Sequence, residues 1–272
     1  MKLQTIRLEK ADHIAILTLN RPERLNAMNR LMLDEINLAC DGVEADAEIR
    51  VLVVTGAGSA FSSGFDLKEQ MEARPSGVPQ WRKVLKDDFD ATMRFWSLSK
   101  PTIAAVQGHC LAGAFELAMA CDITIAAENA IFGEPELKFG AGIVTMILPW
   151  LTGPKQAKEM ILNGMDNVSA ADALRLGLIN RIVPNGEHLQ SALAMARHMA
   201  AIDPELMRDT KKAINRTYEQ MGMNEALQTA LDIDLQIESH GSPDKRQFME
   251  VARREGLRAA FAWRDARFNV KR

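Results

Sequence analysis

"GHCLAGAFELAMACDITIAA" (residues 108–127) predicts a helix followed at once by a strand. Residues 112–120 are mostly small or long and unbranched, and such side chains favour a helix. Residues 122–127, "DITIAA", return to β-branched and aliphatic side chains, which favour a strand. A helix and a strand joined this closely are typical of a chain in which the two elements alternate.

The same alternation is predicted on the N-terminal side of this segment. Two aliphatic runs around the polar residues 10–13 suit a β-hairpin, and Asn29 can cap the helix that follows. Pro101 ends a later helix before the next strand. The predicted elements are strands 5–9, 14–19, 51–54 and 102–106 and helices 29–40 and 79–98. This recurring order predicts an α/β fold with mainly parallel strand pairing.

From Pro204 onward the pattern changes to helices alone. Four helical segments are predicted, at 204–220, at 224–239, at 243–252 and from there to Arg267. Each carries scattered apolar residues on a charged background, so each has one face to bury. Packing on the first part of the chain and an oligomer interface explain the pattern equally well.

Composition excludes several classes of function. The 272 residues are 47% hydrophobic and 25% charged, enough for a sizeable core in one large domain or one domain with an appendage. The formal net charge of -3 supplies no broad positive field, so we expect no nucleic-acid or anionic-membrane partner. The longest uncharged stretch, residues 139–154, is too short to cross a bilayer and contains Pro149.

The N-terminal residues and the cysteines predict a cytoplasmic protein. "MKLQTIRLEK" lacks the apolar core of a signal peptide, and it carries Glu9, which a transit peptide avoids. Cys40, Cys110 and Cys121 form no CxxC pair and no Cys/His ligand pattern. We therefore expect buried, inert thiols rather than a metal site or a disulfide.

Two glycine-containing loops are candidate sites. "TGAGSAFSSG" (55–64) follows a strand, as in a dinucleotide-binding turn, but Phe61 stands where the third glycine of that motif belongs. The other loop contains Gly113, which precedes a helix whose first amides lack partners and suit an anion. Before other motifs are weighed, a plain turn explains the first loop as well as phosphate binding does.

Three glutamates accompany these loops. Glu116 lies one turn into the helix that begins at Gly113, on the same face, where an isolated carboxylate more often only complements the helix dipole. "IFGEPELKFG" (131–140) adds Glu134 and Glu136, for which the plain alternative is a solvated turn.

Six segments, taken in order, resemble the enoyl-CoA hydratase/isomerase family, also called the crotonase superfamily. They are "NRPERLNAMN" (20–29), "AFSSGFDLK" (60–68), "GHCLAGAFELAMACD" (108–122), "FGEPELKFG" (132–140), "SAADALRLGLINRIVP" (169–184) and "AFAWRDARF" (260–268). The resemblance implies an α/β fold, with a crotonase-like ββα spiral core and acyl-CoA site over residues 1–203. It implies a helical trimerisation region over residues 204–272, assembled as a homotrimer or a dimer of trimers.

The resemblance also implies a reaction. The backbone N–H groups of Phe65 and Gly113 would form an oxyanion hole for the thioester carbonyl of an acyl-CoA. Glu116 and Glu136 would flank a water, Glu116 mainly activating it and Glu136 transferring a proton at C2, with Glu134 as a competitor for that second role. Both carboxylates favour an enoyl-CoA hydratase. The alternatives are an enoyl-CoA or dienoyl-CoA isomerase of the same fold and a non-catalytic acyl-CoA-binding scaffold.

Binding roles follow from the same resemblance. The substrate would be held by a set of loop residues: Arg24, Leu25, Ala27, Ser63, Phe65, Asp66, Leu67, Lys68, Gly113 and Pro135. Arg24 and Lys68 are candidates for the CoA phosphates, although solvated surface charges explain them equally well. No metal or separate cofactor is implied, since coenzyme A is part of the substrate.

Other residues near the motifs are expected to be structural. Asp66 is expected to hold its loop, His109 to be a buried core imidazole, and Cys110 to be an inert thiol. Phe65 is larger than the usual residue at its position, so its ring is expected to line or narrow the acyl pocket. Ala112 stands where a glycine is common, and Ile143, Val144 and Met146 are expected near the acyl cavity.

Overall fold

Two sheets form the core of the protein, whose computed structural model describes residues 3–268. The strands are β1 (Ile6–Ala11), β2 (Ile14–Leu19), β3 (Val51–Gly56), β4 (Thr102–Val106), β5 (His109–Leu111), β6 (Ile123–Ala127), β7 (Ile131–Gly133), β8 (Val168–Ser169) and β9 (Arg181–Val183). The larger sheet has the order β1-β2-β3-β4-β6-β9, and the smaller has the order β5-β7-β8. Only β1–β2 and β7–β8 pair antiparallel. The predicted hairpin and the mainly parallel pairing are therefore confirmed.

Helices cover both faces of the larger sheet. They are α1 (Arg30–Ala45), α2 (Leu67–Ala73), α3 (Gly77–Ser97), α4 (Gly113–Ala120), α5 (Leu148–Leu151), α6 (Pro154–Leu162), α7 (Ala170–Arg175), α8 (His188–Ala200), α9 (Pro204–Gln220), α10 (Met223–His240), α11 (Pro243–Glu255) and α12 (Leu257–Phe268). One face packs on α8 through Val51, Val53, Ala192 and Ala196. The other face belongs to the main apolar core, which includes side chains of α1, α3 and α4.

Local sequence explains the boundaries of the early helices. The Asn29 side chain accepts a hydrogen bond from the Met32 N–H at 3.1 Å, as a helix N-cap does. Helix α1 then continues to Ala45, five residues beyond its predicted end, because Val43 remains on its buried face. Every residue of α4 is buried, so the loop before Gly113 is carried on a rigid central element.

The C-terminal helices pack on the rest of the same chain. Helix α10 packs on α3, and α11 and α12 pack on each other. Phe139, Phe248 and Phe261 join these last two helices to the 3-10 turn Glu136–Phe139. Packing on the core thus accounts for part of the apolar pattern. The boundary between residues 203 and 204 remains a prediction, and residues 1–2 and 269–272 of the two proposed regions lie outside the described part.

Two further expectations concern the chain as a whole. Cys40, Cys110 and Cys121 are free and buried, as predicted. Burial raises the pKa of the Cys40 thiol to about 11, so this group stays protonated at neutral pH. Within residues 3–268, no helix has the length and apolar character needed to cross a membrane.

Candidate active site

A cavity of about 620 Å³ brings most of the predicted site residues together. Ten of them line it: Arg24, Leu25, Ala27, Ser63, Phe65, Asp66, Leu67, Lys68, Pro135 and Glu136. Gly113 and Glu116 are buried in α4, which begins directly after the lining residue Ala112. A larger groove of about 980 Å³ lies between α3 and α9, and its described lining contains none of these twelve residues. We therefore place the candidate site in the smaller cavity.

The backbone around Phe65 leaves its N–H free for a ligand. The Met28 N–H donates to the Gly64 carbonyl at 2.8 Å, and the Asp66 N–H donates to the Met28 carbonyl at 3.0 Å. These two bonds fix the chain on either side of Phe65. Among residues 3–268, neither the Phe65 N–H nor the Gly113 N–H has a protein acceptor. Both groups are therefore available to bind an anionic oxygen.

Glycine is required at two positions of this loop pair. Gly64 has φ +94, and a Cβ there would lie 2.7 Å from the Ala112 Cβ and 2.9 Å from the Leu111 carbonyl oxygen. A Cβ on Gly113 would lie 2.6 Å from Cδ2 and 2.7 Å from Cζ of the Phe65 ring. The Phe65 ring thus covers Gly113, and the two loops that carry the free N–H groups are in direct contact.

Ala112 adopts a backbone conformation that disfavours a side chain, with φ 56 and ψ -140. A non-glycine residue held in such a conformation destabilises the folded state by of order 1–3 kcal/mol, whereas glycine adopts the conformation readily. We therefore expect Ala112→Gly to raise the free energy of unfolding by about 0.5–2 kcal/mol after the higher entropy of unfolded glycine is subtracted. Urea unfolding followed by circular dichroism measures the change.

The matched control for this prediction is Ala114→Gly, inside α4. Ala114 is fully buried in the helix, so loss of its methyl group should lower the free energy of unfolding by about 1 kcal/mol or more. A loss of stability in Ala112→Gly equal to that in the control would contradict a strained Ala112.

Asp66 holds the loop in place, as expected. Its side chain accepts hydrogen bonds from the Lys68 N–H at 3.0 Å and the Glu69 N–H at 3.2 Å, which caps α2. Its other carboxylate oxygen lies 2.8 Å from Nη1 of Arg21. Arg24 and Lys68 are exposed at the mouth of the cavity.

Three buried carboxylates lie close together, and one of them, that of Glu136, lines the cavity. Glu116 comes from α4, Glu134 follows β7, and Glu136 begins the next 3-10 turn. One carboxylate oxygen of each lies within 4.8 Å of one oxygen of the others. Glu116 and Glu134 are 1% exposed and Glu136 is 7% exposed, so the "EPE" segment is not a solvated turn. Oxygens up to 4.8 Å apart are close enough for one water to contact two of them.

Burial and mutual repulsion change the acidity of these groups. Burial raises the pKa of Glu116 to about 7, against the opposing effect of the neighbouring Thr145 dipoles. Burial and then the Glu116 charge raise the pKa of Glu136 to about 8. Burial, followed by the charge of Glu136, raises the pKa of Glu134 well above its ordinary value. Near neutral pH the cluster can therefore contain both a carboxylate base and a carboxylic acid.

His109 does not have the predicted environment. It is exposed and lines the cavity, whereas Cys110 is fully buried. The prediction of a core imidazole was wrong because successive residues of a strand point to opposite faces. Cys110 takes the inward face of β5, so His109 faces the cavity. Of the three residues expected near the acyl group, Val144 lines the cavity.

Several cavity residues were not predicted at all. They are Asp88 of α3, Asp234 and Glu238 of α10, Lys245 of α11 and Arg264 of α12. A sequence signal did exist for two of them. Asp234 and Glu238 fall on the buried stripe of α10 together with Leu227 and Leu235, where apolar residues are normal. A charged residue in an apolar stripe indicates a partner or a ligand.

Comparison with known proteins identifies the family. A family model described as Enoyl-CoA hydratase/isomerase matches residues 9–265. A short-chain-enoyl-CoA hydratase of Clostridium acetobutylicum is 35% identical over 95% of this chain and 99% of its own. A crotonyl-CoA hydratase of Syntrophomonas wolfei is 34% identical over the whole of both chains. The crystal structure of an enoyl-CoA hydratase/isomerase from Xanthobacter autotrophicus Py2 has 60% identity and a TM-score of 0.98, and the match covers 99% of this chain and 100% of that one.

These similarities define the chain as an enzyme with the crotonase fold. It belongs to the enoyl-CoA hydratase/isomerase family, as the six sequence segments predicted.

Proposed function

We propose that the protein is an enoyl-CoA hydratase that adds water across the 2,3 double bond of an enoyl-CoA thioester to give a 3-hydroxyacyl-CoA. The observation that carries the proposal is the pair of buried glutamates, Glu116 and Glu136, with oxygens within 4.8 Å of each other, together with two backbone N–H groups that have no acceptor among residues 3–268. The names of the Clostridium and Syntrophomonas relatives support the same reaction.

The proposed reaction uses the two halves of the site together. The N–H groups of Phe65 and Gly113 bind the thioester oxygen, where negative charge develops as water attacks C3. Glu116 takes a proton from that water, and the electron pair of the double bond moves toward the thioester as an enolate. Glu136 then gives a proton to C2, which completes the addition. Oxyanion donors of this kind contribute roughly 3–4 kcal/mol each to the transition state, and a positioned acid or base adds about 10²- to 10⁴-fold.

Substrate binding is assigned to the cavity wall and its mouth. The backbone around Arg24, Leu25 and Ala27 and the segment from Ser63 through Lys68 would hold the CoA portion, with Pro135 beside the thioester. The charged side chains of Arg24 and Lys68 lie where the cavity opens and are suited to the CoA phosphates.

An assay over a panel of enoyl-CoA thioesters tests this function. Loss of the enoyl thioester absorbance with formation of a 3-hydroxyacyl product supports a hydratase. Migration of the double bond with no uptake of water would instead indicate an isomerase. Binding of acyl-CoA without any conversion would indicate a scaffold.

The pH profile should carry the signature of the paired acids. The base must be ionised and the acid protonated, so kcat/KM for crotonyl-CoA should rise through about pH 7 and fall above about pH 8. The two limbs belong to the coupled pair rather than to one residue each. Initial rates between pH 5.5 and 9.5, with circular dichroism at each pH, measure the profile. A flat rate over this range would contradict the assignment.

We propose that the reaction needs no metal. The three carboxylates have the donor atoms for a hard cation, but burial favours their protonated forms, whereas a cation requires them ionised. Dialysis against EDTA should therefore leave kcat/KM within about twofold of its starting value, because no step of the proposed reaction uses a cation. A loss restored by one divalent metal would contradict this proposal.

The assembly and location are also proposals. Exposed apolar side chains on α9 and α10 support a homotrimer or a dimer of trimers; they are Leu206, Ile214, Ile233 and Ile237. Light scattering coupled to size-exclusion chromatography would give the mass of the assembly. The three free cysteines favour a reducing compartment, the cytoplasm. Acyl-CoA is the proposed partner, and neither nucleic acid nor membrane is expected.

A further inference from the structure

Four buried charged side chains line the cavity beside apolar ones such as Leu85, Phe139 and Val144. Asp88, Asp234, Glu238 and Lys245 all line it, and each is less than a tenth exposed. Removing an ionised side chain from water is unfavourable unless the group is paired and hydrogen-bonded.

Two of the acidic groups have partners within the protein. Glu238 accepts a hydrogen bond from the Gly142 N–H at 3.2 Å, and its second oxygen pairs with Nζ of Lys245. That ammonium also lies 4.3 Å from the centre of the Trp81 ring. Asp88 lies 3.3 Å from Nη2 of Arg30. Glu238 is therefore balanced by a cation, whereas burial raises the pKa of Asp88 to about 8 despite the nearby Arg30, so that this group is mainly protonated at neutral pH.

Asp234 is different. It is 2% exposed, and among the described residues neither of its carboxylate oxygens has a hydrogen-bond partner. Its carboxylate lies against Gly142, where a Cβ would be 2.7 Å from Cγ of Asp234. Gly142 belongs to the same loop as Val144, which also lines the cavity. The charge of Asp234 raises the pKa of both Glu116 and Glu136, so it lies within electrostatic range of the proposed reaction centre.

The orientation of the substrate places this group at the acyl end. The mouth of the cavity carries the exposed residues Arg24 and Lys68, which suit the large anionic CoA portion. The acyl group is then expected among the buried residues of the lining, which include Glu136 and Asp234. Asp234 thus faces the part of the substrate that differs from one enoyl-CoA to another.

We propose that Asp234 is a specificity residue that accepts a hydrogen bond from a hydroxyl or amino group carried on the acyl chain. This inference rests on the proposed function and names its substrate class. A distal carboxylate is disfavoured, because two acidic groups, Asp234 and Glu238, already share the single positive charge of Lys245. A plain alkyl chain is disfavoured because it leaves the buried acceptor of Asp234 without a partner.

Binding of saturated acyl-CoA ligands tests the subsite without relying on turnover. We would compare hexanoyl-CoA with its 4-, 5- and 6-hydroxy derivatives and with 6-aminohexanoyl-CoA, by calorimetry at pH 7.5. At least one hydroxylated or aminated ligand should bind the parent protein about 10-fold or more tightly than hexanoyl-CoA. Comparing the hydroxyl and amino ligands decides which donor the site takes.

Variants connect that preference to one side chain. Asp234→Ala should abolish it, and the isosteric Asp234→Asn should abolish the preference for the amine while keeping part of that for the hydroxyl. The matched control is Asp232→Asn on the same helix, whose exposed side chain pairs with Arg82. The control should bind every ligand as the parent does. Circular dichroism checks the folding of each variant.

The outcomes separate this inference from the proposed function. Equal affinity of the parent for alkyl and substituted ligands at every position would overturn the role of Asp234, and hydration of crotonyl-CoA would still support the hydratase. A preference unchanged in Asp234→Ala would also overturn it. An Asp234-dependent preference in a protein that hydrates no thioester would support the subsite and contradict the proposed function.

Discussion

Glu116→Gln and Glu136→Gln are each expected to lower kcat for crotonyl-CoA hydration by about 10²- to 10⁴-fold, the range for loss of one positioned acid or base. Glutamine keeps the shape of the side chain but neither takes the proton from water nor supplies one to C2. Affinity for butyryl-CoA, a saturated ligand, should change by only a few fold, because the carboxylates act on the reacting atoms. Steady-state kinetics and calorimetry measure the two effects.

Glu134→Gln is the matched control for these variants. Glu134 is as buried as Glu116 and belongs to the same cluster, and of these three glutamates Glu136 alone lines the cavity, so the comparison of Glu134 with Glu136 tests the acid role. If Glu136 is the acid, Glu134→Gln should retain kcat within about 10-fold of the parent, because loss of the positioned acid itself would lower the rate by about 10²-fold or more. A larger loss in Glu134→Gln than in Glu136→Gln would transfer the acid role to Glu134.

The stability of these variants should depend on pH with a defined sign. Folding raises the pKa of Glu116 to about 7 and that of Glu136 to about 8. The contribution of each group to the free energy of unfolding is therefore fully present below its unfolded pKa and is lost as the pH rises through its folded pKa. The glutamine variants should therefore gain stability relative to the parent between pH 5 and pH 9. This gain rules out unfolding as the cause of lost turnover.

Gly113→Ala is expected to lower kcat by about 10²- to 10³-fold, the effect of losing one oxyanion donor. The added methyl group meets the Phe65 ring, with Cδ2 at 2.6 Å, so either the ring or the start of α4 must move. Both movements displace an N–H group that the reaction uses. Steady-state kinetics with crotonyl-CoA measure the loss.

Phe65→Ala provides the test of this cause. It keeps the backbone N–H and removes the ring, so alone it should retain turnover within about 10-fold, less than the loss of an oxyanion donor. In the double variant, Gly113→Ala with Phe65→Ala, the added methyl group has room. The double variant should therefore lose less turnover than the two single losses combined predict. Strictly additive losses would show that contact with the ring does not mediate the effect of Gly113→Ala.

Local signals in the sequence predict much of the fold. Asn29 caps α1, Pro101 precedes β4, and the small residues of 113–120 form α4 because each acts through its own turn or its immediate neighbours. The family follows from the six ordered segments, and the family model that matches residues 9–265 confirms it. Helix α2 was missed because it is short and is defined by the cap at Asp66.

The charged residues that line the cavity could not be predicted in the same way. Asp88 and Asp234 are far apart in the chain and line one cavity because α10 packs on α3. The sequence pattern indicates that α10 has a buried face, but not which surface covers it. The exposure of His109 likewise depends on which face of β5 turns inward, and a three-residue strand has too few side chains to determine this.

Product analysis by NMR after incubation of crotonyl-CoA in D₂O tests the central claim most directly. If two backbone N–H groups and two glutamates act on one bound thioester, the product is 3-hydroxybutyryl-CoA. It should carry an oxygen from solvent at C3 and one deuterium at C2. The rate of its formation should fall by at least about 100-fold in both glutamine variants. Deuterium exchange or double-bond migration without a hydroxyl group at C3, or full hydration by either variant, would contradict the account.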